Sequence, residues 1–348
     1  MPVLRRYLVG ALVAAGIGLS GPSAHAQYQG QTLTVASWGC ALDKTYQKAF
    51  AGFEQKYGVT IKWVPGTTSE NAAKVLASRA NPEYDIAMLD DVAFEGVSKA
   101  GALAKLDPAI VTNLADILPQ AIGHRRDGIA IGFNPTGFFY NNVEFAKRGW
   151  APPRVWNDIF RPEFCHHIGF NDPGVSYFFN MTAMLVGGDV SKMKDGIDKF
   201  LKLKGCFATL EPSSAKLEEK IQLGEYLVGI HGSVRVVPLA KAGYPVRFVV
   251  PEDGTALSYT AAAPVANGPH PKLAQEFINW FLTPETQTIL MTDATYVPVN
   301  PKVKIPDELR QIGMSGPEAV AKWVELDRDA ITEQRRNWAR QVERGLAP

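Results

Sequence analysis

The residues best suited to chemistry form short polar clusters, each ending an apolar run. They are Ser37-Trp38, Thr67-Thr68-Ser69, Asp90-Asp91, Asn171-Asp172, Pro212-Ser213-Ser214 and His231-Gly232-Ser233, with Arg235 close behind the last. Hydroxyls, a guanidinium and free N–H groups at helix starts hold carboxylate or phosphonate oxygens. Aromatic faces and acids such as Trp38, Tyr140 and Asp172 suit a cationic group. This is the chemistry of binding. No GxGxxG follows a strand, and no GxxxxGK[ST], HExxH, GxSxG or CxxC pattern occurs in the chain, so no cofactor is expected and no catalytic residue is assigned. His166 and His167 are adjacent and face opposite sides of a strand, so no metal site is expected there.

Several of these residues have plainer uses. Thr68, Ser69, Ser213, Ser214 and Asp91 are also natural helix caps. Trp38 could be core, yet an aromatic after a strand and before Gly39 makes a good cleft wall. Arg235 could be a solvated surface charge. His231 is the sharper candidate, because it ends the apolar run Tyr226–Ile230 and lies beside Gly232.

The elements that must position these residues follow a strand–helix rhythm. Residues 32–36 and 59–64 read as strands. Between them Tyr46, Phe50, Phe53 and Tyr57 mark one helix face, stopped by Gly58. A helix over 71–79, capped by Thr68 or Ser69, leads to a strand over 84–89. The rhythm restarts with strands at 168–170, 206–210 and 226–230 and helices at 176–186 and 215–223. Extended passages at 129–140, at 246–250 and at 257–265 link the two units, and residues 271–282, 284–291 and 306–345 are mostly helical. Such alternation predicts an α/β protein of two lobes, each a mostly parallel sheet flanked by helices.

Composition sets the compartment. The chain has 348 residues, 46% of them hydrophobic and 20% charged, which excludes a disordered or fibrous protein. A net charge of +1 gives no basic excess for nucleic acid. Arg5 and Arg6, the apolar run Tyr7–Ser20 and Ser23-Ala24-His25-Ala26 read as a signal peptide over residues 1–26. The run is too short for the ~20 residues that span a bilayer. Cleavage near Ala26 predicts export, most simply to a periplasm, and leaves 34 basic against 35 acidic residues.

Five stretches together resemble bacterial ABC-transporter solute-binding proteins of the type II periplasmic fold. They are Val35–Gly39, Gly137–Asn141, Pro153–Asp158, Ala274–Leu282 with Pro284 and Gln287, and Tyr296–Asn300. The branch they look most like contains polyamine, thiamine, aminoethylphosphonate and ferric-ion receptors. The resemblance implies a non-enzymatic monomer that captures a small-molecule solute by hinge closure and delivers it to permease subunits in the inner membrane. It implies lobes of residues 27–138 plus 256–348 and of 139–255, joined by two crossing strands near Phe138–Asn141 and Pro251–Ala256. It places the solute among Ser37, Trp38, Ser69, Asp90, Asp91, Tyr140, Asp172, Ser213, Ser214, His231, Ser233, Arg235 and Tyr259. Ferric receptors of the branch use an adjacent tyrosine pair, whereas Tyr140 lies between Phe139 and Asn141. Polyamine receptors carry tryptophan and acids where this chain has His231, Thr260 and Val175. A zwitterionic or anionic solute, such as an amino acid, opine or aminophosphonate, is therefore expected over a plain polyamine or thiamine; an exported enzyme on the same fold is the remaining alternative. The fold would also set Cys165 and Cys206 on neighbouring strands as a disulfide, with Cys40 a free thiol.

Overall fold

The computed structural model describes residues 26–38 and 41–347, so the expected signal segment and Cys40 lie outside the described residues. Two sheets form the two lobes. The first has the order β2-β1-β3-β9-β4, built from β1 (Thr32–Ser37), β2 (Thr60–Pro65), β3 (Ile86–Asp90), β4 (Ile129–Phe133) and β9 (Tyr259–Pro264). The second has the order β6-β7-β5-β8, from β5 (Thr136–Asn141), β6 (Ile168–Gly169), β7 (Val228–Gly232) and β8 (Val246–Val249). The β2–β1, β1–β3 and β6–β7 pairs are parallel. The strands that follow the first two crossings, β5 and β9, insert antiparallel to their neighbours, which makes both sheets mixed.

Helices cover both sheets as the apolar periodicity predicts. In α1 (Ala41–Tyr57) the residues Tyr46, Phe50, Phe53 and Tyr57 are all buried, and Phe50 stacks on Phe277 with ring centroids 4.2 Å apart. Phe277 belongs to α9 (Pro271–Phe281), which α10 (Pro284–Ala294) follows. The helix α2 (Thr68–Ala77) is capped by Thr67, one residue earlier than expected, because Thr67 and Glu70 close a capping box. Next along the first lobe comes α3 (Asp91–Lys99). The second lobe carries α4 (Asn142–Arg148), α5 (Ser176–Met184), α6 (Met193–Leu201), α7 (Ser214–Gln222) and α8 (Ser233–Lys241). After α11 (Asp307–Gln311), the chain ends in α12 (Arg328–Leu346).

Three expectations change. Residues 206–210 form no strand; only Glu211 makes a bridge, to Asn171. Cys165 and Cys206 are nevertheless joined by a disulfide, with Cα atoms 4.4 Å apart, because His166 N–H donates to the Cys206 carbonyl and pins the two loops. The first crossing is Asn134-Pro135, so all of β5 belongs to the second sheet. The chain also crosses a third time. Val324 bridges Ala256, and beyond it Leu326, Ile331 and Val342 join the core of the second lobe rather than the first.

Arg328 sits where these crossings meet. Its guanidinium pairs with Asp91 of the first lobe at 2.8 Å and donates to the Leu257 carbonyl at 2.5 Å and to Asn180 of the second lobe at 3.2 Å. Both partners of the ion pair are nearly buried. Burial pushes the Asp91 carboxyl up to about 6, against the pull of Arg328. The sign is that of a raised acid: Asp91's contribution to stability is full below about pH 4 and is lost as pH rises toward about 6.

Arg328→Met strands a buried carboxylate and should cost about 3–5 kcal/mol of unfolding free energy at pH 7, whereas adding Asp91→Asn should restore most of it. Denaturant titrations of the two variants check this, and equal losses in both would contradict it. Titration of thiols in the unfolded, unreduced protein should find one of three cysteines. Reducing the bridge, which closes a loop with a sequence separation of 41, should remove ~4 kcal/mol in the chain-entropy picture.

Candidate functional site

The carboxyl ends of β1, β3, β4 and β7 and the starts of β5 and β9 converge on the gap between the lobes, where open α/β sheets bind ligands. On the first lobe, the chain leaves β1 at Trp38, whose indole N–H donates to Thr68 Oγ1 at 2.8 Å. Thr260 Oγ1 donates to the Tyr296 hydroxyl at 3.1 Å. Tyr296 can lie so close to β4 only because position 132 is glycine: a Cβ there would sit 2.5 Å from the tyrosine. Burial raises the Tyr296 pKa, so the phenol stays a neutral hydrogen-bonding group.

On the second lobe, Tyr177 closes over the end of β7. Gly232 admits its ring, since a Cβ at 232 would meet it at 2.5 Å. The Tyr177 hydroxyl accepts from Asn134 Nδ2 at 3.0 Å, and Asn134 Oδ1 accepts from the Val234 N–H at 3.3 Å. One crossing residue thus satisfies an orphan donor of α8 and fixes Tyr177. Arg235, in the first turn of α8, keeps 49% of its side chain exposed. The Tyr177 hydroxyl and Tyr296 of the opposite lobe both act electrostatically on its guanidinium. Glu218 of α7 faces it at 3.5 Å, and the same carboxylate oxygen lies 3.7 Å from His231 Nε2. The His231 ring is fully buried and packs edge-on against Tyr177 with centroids 5.0 Å apart.

The other expected residues fall into place as follows. Ser37 is buried and its carbonyl accepts from Asn71 Nδ2 at 2.8 Å. Ser69 is exposed on the first turn of α2. Asp90 caps α3 by accepting from the Ala93 N–H at 2.9 Å, and Ser213 caps α7 by accepting from the Lys216 N–H at 3.3 Å, with Ser214 the first residue of that helix. Ser233 is buried beside Asn134.

Four acids and tyrosines turn away from the gap. Asp91 is taken by Arg328. Asp172 closes a turn onto the Gly174 N–H at 2.7 Å and lines a groove of about 940 Å³ beneath α12, alongside Arg335 and Phe207. Tyr259 faces α3, edge-on to Phe94, because side chains alternate along β9 and it is Thr260 that faces Tyr296. Tyr140 lies at the far end of β5, opposite Val228 at the start of β7, and packs on Phe145. At ~3.3 Å per residue, it is over 10 Å along the strand from the crossing.

The sequence reading passed over Asn134, Tyr177, Glu218 and Tyr296. Tyr296 stands inside the Tyr296–Asn300 stretch, and Asn134 precedes the Pro135 that breaks β4 from β5; both were visible signals. Glu218 is an ordinary helix-surface acid in sequence, and only the tertiary fold turns it toward His231 and Arg235.

Residues 48–312 match the family model of bacterial extracellular solute-binding proteins, and the chain belongs to that family. Among relatives, a Salmonella typhi protein whose name ascribes to it 2-aminoethylphosphonate binding in the periplasm is 23% identical over 80% of this chain and 81% of its own. A gamma-aminobutyric acid-binding protein of Pseudomonas aeruginosa is 25% identical over 80% of each chain. The crystal structure of an ABC transporter from Clostridium perfringens superposes with a TM-score of 0.76 at 24% identity, over 90% of this chain and 100% of that one, and so shares the fold. No helix of the described residues is long and apolar enough to cross a membrane.

Gly132→Ala should force Tyr296 away from β4 and cost about 1–3 kcal/mol of stability, as overpacking does. Gly96→Ala in the middle of α3, where a Cβ meets nothing within 4 Å, should instead stabilise by up to about 1 kcal/mol. Thermal and denaturant melts of the pair decide whether Gly132 is there for clearance.

Proposed function

We propose that the chain is the periplasmic receptor of a bacterial ABC importer, exported by cleavage near Ala26. In this reading it binds a small organic solute bearing an anionic group, closes its lobes over it and hands it to the permease in the inner membrane as a monomer. The observation that carries the solute class is Arg235. A half-exposed guanidinium at a helix start, with its carboxylate neighbour 3.5 Å away and beyond a good hydrogen bond, keeps donors for an incoming anion. Tyr177 and Tyr296 add polar contacts from the two lobes, and the Trp38 face suits the solute's other end. The names of two relatives, an aminoethylphosphonate binder and a gamma-aminobutyric acid binder, describe solutes with both an anionic and an ammonium group. A polyamine draws less support, because Asp91 is paired with Arg328 and Asp172 is committed to its turn.

Calorimetry against 2-aminoethylphosphonate, 4-aminobutyrate, amino acids, opines, thiamine and spermidine tests this. An anion-bearing solute should bind, and Arg235→Ala should weaken it by about 10- to 150-fold, the loss of a charge-assisted hydrogen bond of ~1.5–3 kcal/mol. At 100 times Kd the solute should add ~2.7 kcal/mol of stability, and small-angle scattering should record a smaller radius of gyration. Tight spermidine binding, with no response to any anionic solute and no effect of Arg235→Ala, would overturn the proposal.

A further inference from the structure

His231, Glu218 and Arg235 make a closed electrostatic group that anion binding at Arg235 does not by itself explain. The His231 ring is completely buried, and neither ring nitrogen has a hydrogen-bond partner in the structure. The Glu218 oxygen that faces both the ring and the guanidinium also lacks a hydrogen-bond partner. Leaving such atoms unpaired in the interior is costly, so their arrangement calls for a reason. Among the described residues, the titratable and charged groups set against His231 are the Tyr177 phenol from α5, the Glu218 carboxylate from α7 and the Arg235 guanidinium from α8, and the parallel strand β6 runs on toward the uncharged Asn171 on its other side. The paired strand β5 presents only Gly137 opposite it.

Charge balance within this group supplies the reason. With Arg235 and Glu218 ionised, the cluster is neutral only if His231 carries no proton. Burial and Arg235 both push the His231 pKa down, and Glu218 alone pulls it up. A solute anion that engages Arg235 takes the cation away from Glu218, and the cluster with its solute then carries one excess negative charge. The buried imidazole lies within reach of that carboxylate and can neutralise it by taking one proton from solvent.

We infer that Glu218 and His231 form a proton-coupled placeholder for the solute's anionic group. Glu218 balances the charge of Arg235 from 3.5 Å, and when a solute anion takes over that balance the carboxylate is neutralised by protonation of His231. This inference rests on the anion-receptor reading above and adds regulation to the same site. Protons are then taken up on binding, so affinity for an anionic solute rises as pH falls, by at most tenfold per pH unit for one proton. A neutral solute leaves Glu218 on Arg235 and gains nothing from acid.

The coupling is testable without a known solute, because Arg235→Met removes the cation much as an engaged anion does. The His231 ring carbon–proton signals, followed by NMR against pH, should show a neutral ring down to well below pH 6.5 in the wild type. In Arg235→Met the titration midpoint should rise by at least one pH unit, and adding Glu218→Gln should return it to the wild-type position or lower. An unchanged midpoint in Arg235→Met, or a rise that persists in the double variant, overturns the inference. Backbone amide spectra verify that each variant is folded, and Glu218→Gln alone, which should lower the midpoint, gives an independent arm. Failure of the two readings is distinguishable. A His231 midpoint that follows Arg235 in a protein binding no anionic solute sinks the solute class and leaves the coupling standing. Arg235-dependent binding of 4-aminobutyrate, whose charges do not titrate near neutrality, with no proton uptake in buffers of different ionisation enthalpy sinks the coupling alone.

Discussion

The geometry of the site depends on a single buried ion pair at the junction of the lobes. Arg328 holds Asp91 at the start of α3, the Leu257 carbonyl in the link to β9, and Asn180 inside the second lobe. Asn180 in turn donates to Thr136 and Ser258, and Thr255 donates to the Thr136 carbonyl, so all three crossings share one polar network. Such a pair is an expensive way to gain stability. Desolvation outweighs attraction for Asp91, which is why its carboxyl is raised to about 6 even with a guanidinium at 2.8 Å. What the network supplies instead is direction. An apolar junction would let the lobes slide, whereas a planar guanidinium with four fixed acceptors permits few relative positions.

From that junction the positions of the candidate site residues follow by strand direction alone. Asn134 ends β4 and starts the first crossing, so it is placed to serve α8 and Tyr177 together. Because β7 runs antiparallel to β5, its last residues His231 and Gly232 arrive beside that crossing, and α8 begins there. Arg235 is thereby carried to the interlobe gap by the same hydrogen-bond ladder that places Thr136. In the first lobe β9 runs antiparallel to β3, so its first residues, and Thr260 with them, lie at the gap. Glycines 132 and 232 then make room for one tyrosine on each side.

Much of this was legible in the residues, and the misreadings share a cause. The aromatic face of α1 was plain, because Tyr46, Phe50, Phe53 and Tyr57 record a period that only a buried helix face needs. The strand-end clusters were plain too, since polar residues after an apolar run are where a parallel strand surfaces. Tyr140 misled because the apolar runs on either side of Asn134-Pro135 read as one extended passage over residues 129–140 despite the proline; a shift of a few residues in the crossing sends Tyr140 to the opposite end of the sheet. Cys165 and Cys206 meet through a loop contact, although residues 206–210 carry the β-branched and apolar look of a strand without pairing as one. Arg328 and Glu218 were invisible for a different reason. A charged residue on a helix reads as solvated until its partner is known, and their partners lie 237 and 17 residues away respectively, in the first case across the lobe boundary.

The placement of charge across the gap also decides what closure can discriminate. A ligand shifts a conformational equilibrium only by its difference in affinity for the two states. On the proposed function, solute contacts confined to the second lobe, such as those to Arg235, would be present whether the lobes are near or apart and would contribute to capture without driving closure. Closure requires a solute that also reaches Tyr296, Thr260 or Trp38 on the first lobe. The interlobe seam already contains one such link in the protein itself, where Val234 at the start of α8 packs against the core of the first lobe. Arg235 is its neighbour, and the guanidinium lies near Tyr296 from the opposite wall. On the proposed function, a solute anion seated on Arg235 would be held at the seam, where a further contact with Tyr296 would form as the lobes approach. In the proposed reading, recognition of the anionic group and the drive to close are coupled through adjacent residues of one helix turn, and a solute lacking that group would lose both together.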